Sequence, residues 1–214
     1  MTSRQRARAR SRSAAAAPAK GEQTRQAILD AAIVRFGRDG YRSTSVADIA
    51  RDAGVGGTIT YAYFPNKEAL FVAALDEDAA AVIHEGVSTI LDDPDPQSWR
   101  TQLIFTLLDA IDQHPLARRV LSGLEPHVTG RVLDLPALAE LRKAVAERLR
   151  TEQVTGLVRR DIDPVAVGSG AVVIIISLMM SILQFGREGA VMYGDDVIAV
   201  FAAALDGPAV RRPE

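Results

Sequence analysis

The chain has 214 residues, of which 48% are apolar, 24% charged and 5% aromatic, a composition that excludes wholesale disorder and collagen-like repetition. It contains no cysteine, which excludes thiolate catalysis, cysteine-ligated metals and disulfides and fits a reducing cytosol. The net charge of −2 hides an asymmetry, because seven basic residues and one acidic residue give residues 1–25 a charge of +6 and leave −8 on the remainder.

The basic segment, residues 1–21, is a low-complexity run of Arg, Ser and Ala, and we expect it to be a disordered arm. It is either a solvated leader or an arm that meets a polyanion. Its Arg- and Ser-rich composition also resembles that of a transit peptide. A secretory signal is not indicated, because such a signal needs an apolar stretch and the only apolar residues here, apart from Met1, are alanines. We therefore expect a cytoplasmic protein.

Helical periodicity begins after the arm. One face of the first helix carries apolar residues at helical spacing: Ile28, Ala31, Ala32 and Phe36. Gly37 and Gly40 are predicted to end this helix. Ser45 then begins a second helix with Asp48 at its third position, a carboxylate variant of the capping box, and Gly54 ends it.

Capping residues and prolines in the rest of the chain predict further helices. A third short helix is expected to run through 61–64 and to stop at Pro65, and Asn66 can cap a long helix whose inward face runs from Leu70 to Ile83. Further helices are predicted over 99–113, 116–124, 136–153, 164–185 and 195–205. No convincing strand and no internal repeat is found, so we predict an all-α fold of about nine helices.

Residues 45–64, SVADIARDAGVGGTITYAYF, have the pattern of a helix-turn-helix. Such a motif needs a small residue where the helices touch and a residue tolerant of positive φ in the turn, and Ala50 and Gly54 supply them. The flanking apolar set is Ile49, Ala53 and Val55. Since the second helix of this motif enters the major groove, the partner indicated is duplex DNA. A tight helix corner inside a bundle would show the same small residues.

The polar face that follows favours the DNA interpretation. Hydroxyl groups from Thr58, Thr60, Tyr61 and Tyr63 can meet phosphates or base edges, and Lys67 adds a positive charge. The basic arm could add contacts along the backbone or in a minor groove.

These segments resemble the DNA-binding domain of the TetR family of transcriptional regulators over residues 24–75, from TRQAILDAA through GYRSTSVADIARDAGV to YAYFPNKEALFVAAL. The resemblance implies phosphate contacts from Thr44 or Ser45 and from Tyr61, Tyr63 and Lys67, and base contacts from the start of the third helix. The DNA-binding residues expected are Arg25, Arg42, Thr44, Ser45, Gly56, Gly57, Thr58, Thr60, Tyr61, Tyr63 and Lys67.

The start of the third helix departs from the family pattern. Gly56 and Gly57 stand where a hydroxyl cap and a long basic side chain are usual, at a cost of up to about 1 kcal/mol per glycine, and less near the cap. We therefore expect this helix to fray until DNA orders it. Thr60 stands at the usual apolar core position and Ile59 at the usual hydroxyl position, so either the helix is rotated or Ile59 touches a thymine methyl group.

Residues 165–186 form an uncharged run long enough to cross a membrane. A helix buried by its own chain and by a second subunit would have the same composition. Small and polar residues within the run and acidic rather than basic flanks favour burial. The alternative is a small membrane-associated protein anchored by 165–186.

The family resemblance also implies a homodimer and a small-molecule pocket in the C-terminal helices. The expected dimer-interface residues are Ser177, Ser181, Val197, Ile198, Phe201 and Leu205. Candidate pocket residues are Trp99, Phe105, His114, His127, Met179, Met180 and Phe185, for each of which ordinary core packing is the alternative. Because few charges fall in these stretches, a mostly apolar effector is favoured over an anionic one.

An enzyme is not indicated. The three histidines are scattered, and no metal-binding, nucleophile or nucleotide-binding motif is complete. We expect no catalytic residue, cofactor or metal. The predicted organisation is a basic arm over 1–21, a helix-turn-helix domain over 22–68 and an effector-binding and dimerisation domain over 69–210. The function expected is that of a homodimeric, ligand-responsive repressor that binds operator DNA and no membrane.

Overall fold

The computed structural model describes residues 20–92, 95, 98–130, 132–186, 196–197 and 199–205. Throughout these residues the chain is all-α and has no strand, which confirms the predicted fold class. The helices are α1 (Lys20–Ser43), α2 (Val46–Asp52), α3 (Gly57–Tyr63), α4 (Lys67–Asp92), α5 (Ser98–Ile111), α6 (Pro115–Leu121), α7 (Pro126–Thr129), α8 (Pro136–Thr155) and α9 (Pro164–Phe185), with a 3-10 turn at Val132–Asp134. Residues 196–197 and 199–205 are also helical. Most of the predicted arm lies outside the described residues, and its last two residues belong to α1.

Several helix starts follow from single residues. The Ala69 N–H donates to Asn66 Oδ1 at 2.8 Å, and the Val165 N–H donates to Asp163 Oδ1 at 2.9 Å, so both helices have side-chain caps. Pro136 and Pro164 occupy first-turn positions, as predicted. Pro115 does the same for α6.

Two glycines mark close approaches between helices rather than helix ends. Gly37 lies inside α1, where a Cβ atom would stand 2.7 Å from the Cβ of Pro115. Gly86 lies inside α4, where a Cβ atom would stand 2.7 Å from Cδ2 of Leu107. The prediction that Gly37 ends its helix is wrong, because packing against α6 requires a missing side chain there.

Gly40 is the true break in α1. Its φ of 81° and ψ of 167° lie outside the helical region, in a conformation that L side chains rarely adopt. The break directs the Tyr41 N–H to Oε1 of the buried Glu125 at 3.0 Å, and Nε of Arg119 donates to the same oxygen at 2.8 Å. The end of α1 is therefore tied to the segment between α6 and α7.

The N-terminal helices share one hydrophobic core with the rest of the protein. The inner face of α1 includes Phe36, whose ring centroid is 5.0 Å from that of Phe71 on α4. Tyr41 packs edge-on against Phe71 at 5.1 Å and lies at the same distance from the ring of His127. These aromatic contacts join α1, α4 and α7, so the start of α4 is common to both parts of the molecule.

A carboxylate on α4 caps α6. The side chain of Asp78 is buried, and its Oδ2 accepts from the backbone N–H groups of Leu116 at 2.9 Å and Ala117 at 2.8 Å. Its other oxygen lies 2.8 Å from Nδ1 of His114. A negative charge at a helix N-terminus is favourable, and here it comes from another helix, so it fixes the position of α6 on α4.

We predict that Asp78→Asn destabilises the protein by about 1–3 kcal/mol, because the amide cannot supply both charge and acceptors to the buried end of α6. Asp112→Asn is the matched control, since that carboxylate is exposed and pairs with Arg118 at 3.1 Å on the surface. The control should change stability by less than about 0.5 kcal/mol. Urea unfolding measures both; equal losses would contradict the capping role.

Candidate nucleic-acid interface and internal cavities

The corner between α2 and α3 has the predicted geometry. The Asp48 N–H donates to Ser45 Oγ at 3.1 Å, and the Ser45 hydroxyl donates to Asp48 Oδ2 at 2.7 Å. Gly54 has a φ of 68° in the turn, and the Val55 N–H donates to the buried Ala50 carbonyl at 2.9 Å. The helix-turn-helix predicted from residues 45–64 is therefore confirmed as a structure.

An ion pair fixes the corner to α1. Nε of Arg35 donates to Asp52 Oδ2 at 2.6 Å, and this hydrogen bond lowers the pKa of the Asp52 carboxyl. On the far side of α3, the buried Phe64 ends the helix, and the guanidinium of Arg25 lies 5.4 Å from its ring centroid. The pair and the ring contact hold both ends of the motif against α1.

The orientation of α3 answers the question that the sequence left open. Thr60 is fully buried, whereas Ile59 and Tyr61 are 45% and 55% exposed. The helix is therefore not rotated: Thr60 occupies the inward position and Ile59 points to solvent. The predicted DNA contact from Thr60 is not available, because its side chain packs in the core of the motif.

The uncapped start of α3 is open to solvent. Gly56 is the N-cap and provides no side-chain hydrogen bond, and Gly57 is the first helical residue. A Cβ atom at Gly57 would have no neighbour within 4 Å among the described residues. Both glycines and Thr58 are exposed, so the backbone at this end is accessible to a partner.

Of the other residues predicted to contact DNA, Thr44 is buried and the rest are exposed or half-buried. Thr44 is buried and its hydroxyl donates to the Gly40 carbonyl at 2.8 Å, so a phosphate contact from this side chain is not available. Arg42 and Ser45 are exposed, and Tyr63 is half-buried. Lys67 is also half-buried, with Nζ 4.4 Å from the Tyr41 ring centroid, and burial lowers the pKa of its ammonium group.

Sequence reasoning assigned no DNA contact to two exposed residues of this surface. Ser43 lies beside Arg42 and is exposed. For Ile59, a contact with a thymine methyl group was only one of two alternatives. Since Ile59 and Thr60 are adjacent on the helix, the burial of Thr60 means that Ile59 faces solvent. The exposed surface at the start of α3, which we call the α3 face, consists of Gly56, Gly57, Thr58, Ile59 and Tyr61.

Two cavities lie among the C-terminal helices. Cavity A has a volume of about 130 Å³ and lies between α5, α8, α9 and the helical residues 201–205. Cavity B has a volume of about 50 Å³ and lies between α4, α5, α6, α8 and α9. Ile175 of α9 lines cavity A and Met179, one turn later, lines cavity B. The cavities therefore follow one another along the same helices.

Of the predicted pocket residues, Trp99 lines cavity A and Met179 lines cavity B. Phe105 and Phe185 are 57% and 79% exposed, so they point away from both cavities. The remaining three, His114, His127 and Met180, line neither cavity: the first faces Asp78, the second packs on Tyr41, and the third packs against the hydrophobic core.

Four of the residues predicted for the dimer interface fall into two groups, one exposed on α9 and one lining cavity A. Ser177 and Ser181 are exposed on α9. Phe201 and Leu205 instead line cavity A, with Leu205 buried in its own chain. Val197 is half-buried, and the side chain of Ile198 lies outside the described residues.

One face of α9 is packed and the other is not. Gly168 lies against the backbone of Ala146 on α8, where a Cβ atom would be 3.3 Å from the Ala146 nitrogen. The opposite face carries an exposed stripe, which we call the α9 stripe: Ala166, Gly170, Val173, Ser177 and Ser181. Among the described residues, α9 is the one helix long and apolar enough to cross a membrane, and 28% of its most apolar stretch is buried within the chain.

We predict that Thr60→Val stabilises the protein by about 1 kcal/mol. The Thr60 hydroxyl is buried and has no hydrogen-bond partner among the described residues, and valine keeps the branched shape without that cost. Thr44→Val should destabilise by a similar amount, because it leaves the Gly40 carbonyl without its donor. Thermal unfolding of the two variants gives shifts of opposite sign; shifts of the same sign would contradict this account.

Comparison with known proteins bears on this geometry. The family model for bacterial regulatory proteins of the tetR family matches residues 28–74. An HTH-type transcriptional repressor of Streptomyces coelicolor is 29% identical over 130 residues, 60% of this chain and 62% of that protein. The chain spans less than two thirds of the length of the curated relatives that head the comparison.

Solved structures show the same fold over most of the chain. A TetR-family regulator from Pectobacterium atrosepticum superimposes with a TM-score of 0.74 at 18% identity, covering 90% of this chain and 100% of that one. The regulator FadR from Bacillus subtilis in complex with stearoyl-CoA gives a TM-score of 0.64 at 17% identity, covering 84% and 98%. Through the helix-turn-helix and the family model, residues 28–74 are identified as a DNA-binding domain of the tetR type of bacterial regulatory proteins, and the chain as a whole has the fold of the TetR-family regulators.

Proposed function

We propose that this protein is a cytoplasmic, homodimeric, ligand-responsive transcriptional repressor that binds operator DNA. The observation that carries the proposal is the α3 face, which projects from a corner fixed by the buried Thr60 and by the pair of Arg35 and Asp52. A helix held in this way can enter a major groove without rearrangement. The proposed units are the helix-turn-helix over residues 22–68 and the effector and dimerisation domain over residues 69–210.

The residues of the α3 face have separate roles in this proposal. Ile59 offers an apolar contact to a thymine methyl group, and Thr58 offers a hydroxyl to a base edge. Gly56 and Gly57 let the backbone approach the duplex closely. Phosphate contacts then come from Arg42, Tyr61, Tyr63 and Lys67, with Arg25 at the rim.

The test of this function is selection of bound sequences from a random duplex library. A dimer with two α3 faces should enrich a palindrome whose half-sites are about one helical turn apart, about 34–36 Å, or a multiple of it. Ile59→Ala should change the base preferred at one symmetric position of each half-site. Arg42→Gln should weaken binding to all sequences alike and reduce the salt slope by about 0.9 for each phosphate that the protein no longer neutralises.

Deletion of residues 1–21 in the same titration tests the basic arm. If the slope of log K against log salt concentration falls by several units, the arm contacts phosphates. If the slope is unchanged, the arm does not contribute to DNA binding. Failure of a well-folded dimer to enrich any sequence would contradict the proposed operator binding.

The dimer is proposed to form through the α9 stripe. Small side chains at helical spacing let a second helix approach closely, and the exposed Val173 and Ile174 add apolar area beside them. A membrane would cover the same face, which is why the anchored protein remains the second candidate function. The tight packing of Gly168 on α8 favours the dimer, because it fixes the other face of α9 inside a folded body.

We predict that Val173→Asp converts the dimer into monomers, because it places an unpaired charge at the centre of the α9 stripe. Val154→Asp is the matched control: Val154 is equally apolar, lies on α8 and is more exposed than Val173. The control should stay dimeric in sedimentation. Recovery of the unaltered protein only in detergent would contradict the dimer and support the membrane candidate.

The effector is proposed to be a small, mostly apolar molecule bound in cavity A. The structural neighbour FadR was solved with an acyl-CoA, which supports a small-molecule site in this fold. Cavity B lies one turn further along α9 and is lined by Ala117 and Val120 of α6, and the start of α6 touches Gly37 of α1. An occupant that displaces α6 would therefore change the orientation of the helix-turn-helix and favour release of DNA.

A further inference from the structure

A polar cluster stands at the edge of cavity A. Oε1 of the buried Glu152 accepts from Nε1 of Trp99 at 2.7 Å and from Nε of Arg148 at 3.1 Å. Its Oε2 accepts from Nη2 of Arg100 at 2.6 Å. One carboxylate on α8 thus holds three donors from α5 and α8, two of which carry a positive charge.

The cluster is not neutral. Two guanidinium groups and one carboxylate leave a net charge of +1 in a mostly buried position. Arg148 is directed away from cavity A by a further hydrogen bond from Nη1 to the Ile90 carbonyl at 3.3 Å. Of the two cations that share Glu152, Arg100 is therefore the one that lines cavity A.

Arg100 also has unused donors. Its Nε–H is buried and makes no hydrogen bond to any residue that the structure describes. Glu152 accepts from Nη2, so the Nη1 end is not used by that carboxylate either. A buried donor on a charged group is costly to leave unpaired. The site is thus incomplete without an acceptor, while the rest of the wall is mainly apolar: Leu103, Ile104, Val145, Leu149, Val167 and Ile175.

We propose that the effector is a monoanionic amphiphile whose carboxylate binds Arg100 and whose apolar body lies along cavity A toward cavity B. The inference rests on the proposed effector site and names the ligand class for it. A carboxylate matches the planar guanidinium and cancels the charge of +1. A dianion would leave a buried negative charge, and a cation would meet Arg100 with like charge. The sequence favoured a mostly apolar effector, and the structure adds one anionic end.

The test compares three ligands of equal chain length: decanoate, decan-1-ol and decylammonium, each below its critical micelle concentration. Calorimetry measures binding, and fluorescence of Trp99, the single tryptophan in the chain, reports occupation of cavity A. We expect decanoate to bind at least about 10-fold more tightly than the alcohol, equivalent to about 1.4 kcal/mol, and the ammonium ligand to bind most weakly.

Arg100→Gln should abolish the preference for decanoate and leave the affinity for the alcohol unchanged. Arg150→Gln is the matched control, since it removes the same charge from an exposed α8 residue that lies outside the cluster and does not line cavity A, and it should keep most of the preference. Arg100→Lys restores the charge and should recover part of the preference. This variant keeps the test valid if Arg100→Gln proves unstable in thermal unfolding.

Equal affinity for decanoate and the alcohol, or a preference that survives Arg100→Gln, would overturn the inference while leaving operator binding and an apolar effector intact. Absence of binding by all three ligands would overturn it together with the effector site. Operator binding is measured separately for each variant, so loss of DNA recognition is distinguished from loss of the ligand. Decanoate that binds through Arg100 without releasing DNA would support the site and contradict ligand-controlled repression.

Discussion

The contact of α4 with both α1 and α6 is the constraint on which the rest of the structure depends. Phe71 near the start of α4 packs against Phe36 of α1, and Asp78 two turns later caps α6. A single helix therefore sets the distance between the helix-turn-helix and the walls of cavity B. The same helix gives the short helices α2 and α3 a core that they could not form alone.

The distribution of polar groups inside the protein follows this arrangement. Glu125 lies where the end of α1 meets α6 and α7, and Glu152 lies where α5 meets α8. Each buried carboxylate has at least two donors, as a buried charge requires. Arg100 and Thr60 are exceptions, with buried polar atoms lacking partners among the described residues. One lines cavity A, and the other lies directly behind the α3 face.

Much of the fold could be predicted from the sequence, because helix starts depend on local side chains. Asn66, Asp163 and Ser45 cap the helices that their spacing indicated. Helix ends were harder to predict, since Gly37 is explained only by the atoms of Pro115 that face it. In the sequence, a glycine required by close packing against a distant segment cannot be told from a glycine that ends a helix.

The candidate site shows the same division. The family pattern located the α2–α3 corner, but it could not show that Thr44 and Thr60 are buried, because a threonine has the same appearance in a core and on a surface. The pocket prediction chose aromatic and sulfur-containing residues and passed over Arg100, one of two charged residues on α5. The single positive charge on this largely apolar helix was the available signal.

The contact between Gly37 and Pro115 has a mechanical consequence. Two ordinary side chains at a helix interface can absorb a small displacement by changing rotamer, which dissipates it within the interface. Glycine has no side chain, and the ring of proline has almost no torsional freedom, so neither residue at this interface can change rotamer. Any shift of the start of α6 passes directly into the backbone of α1. A displacement of α6 would therefore reach the helix-turn-helix through the backbone of α1 and would not be taken up by side-chain rotamers at this contact.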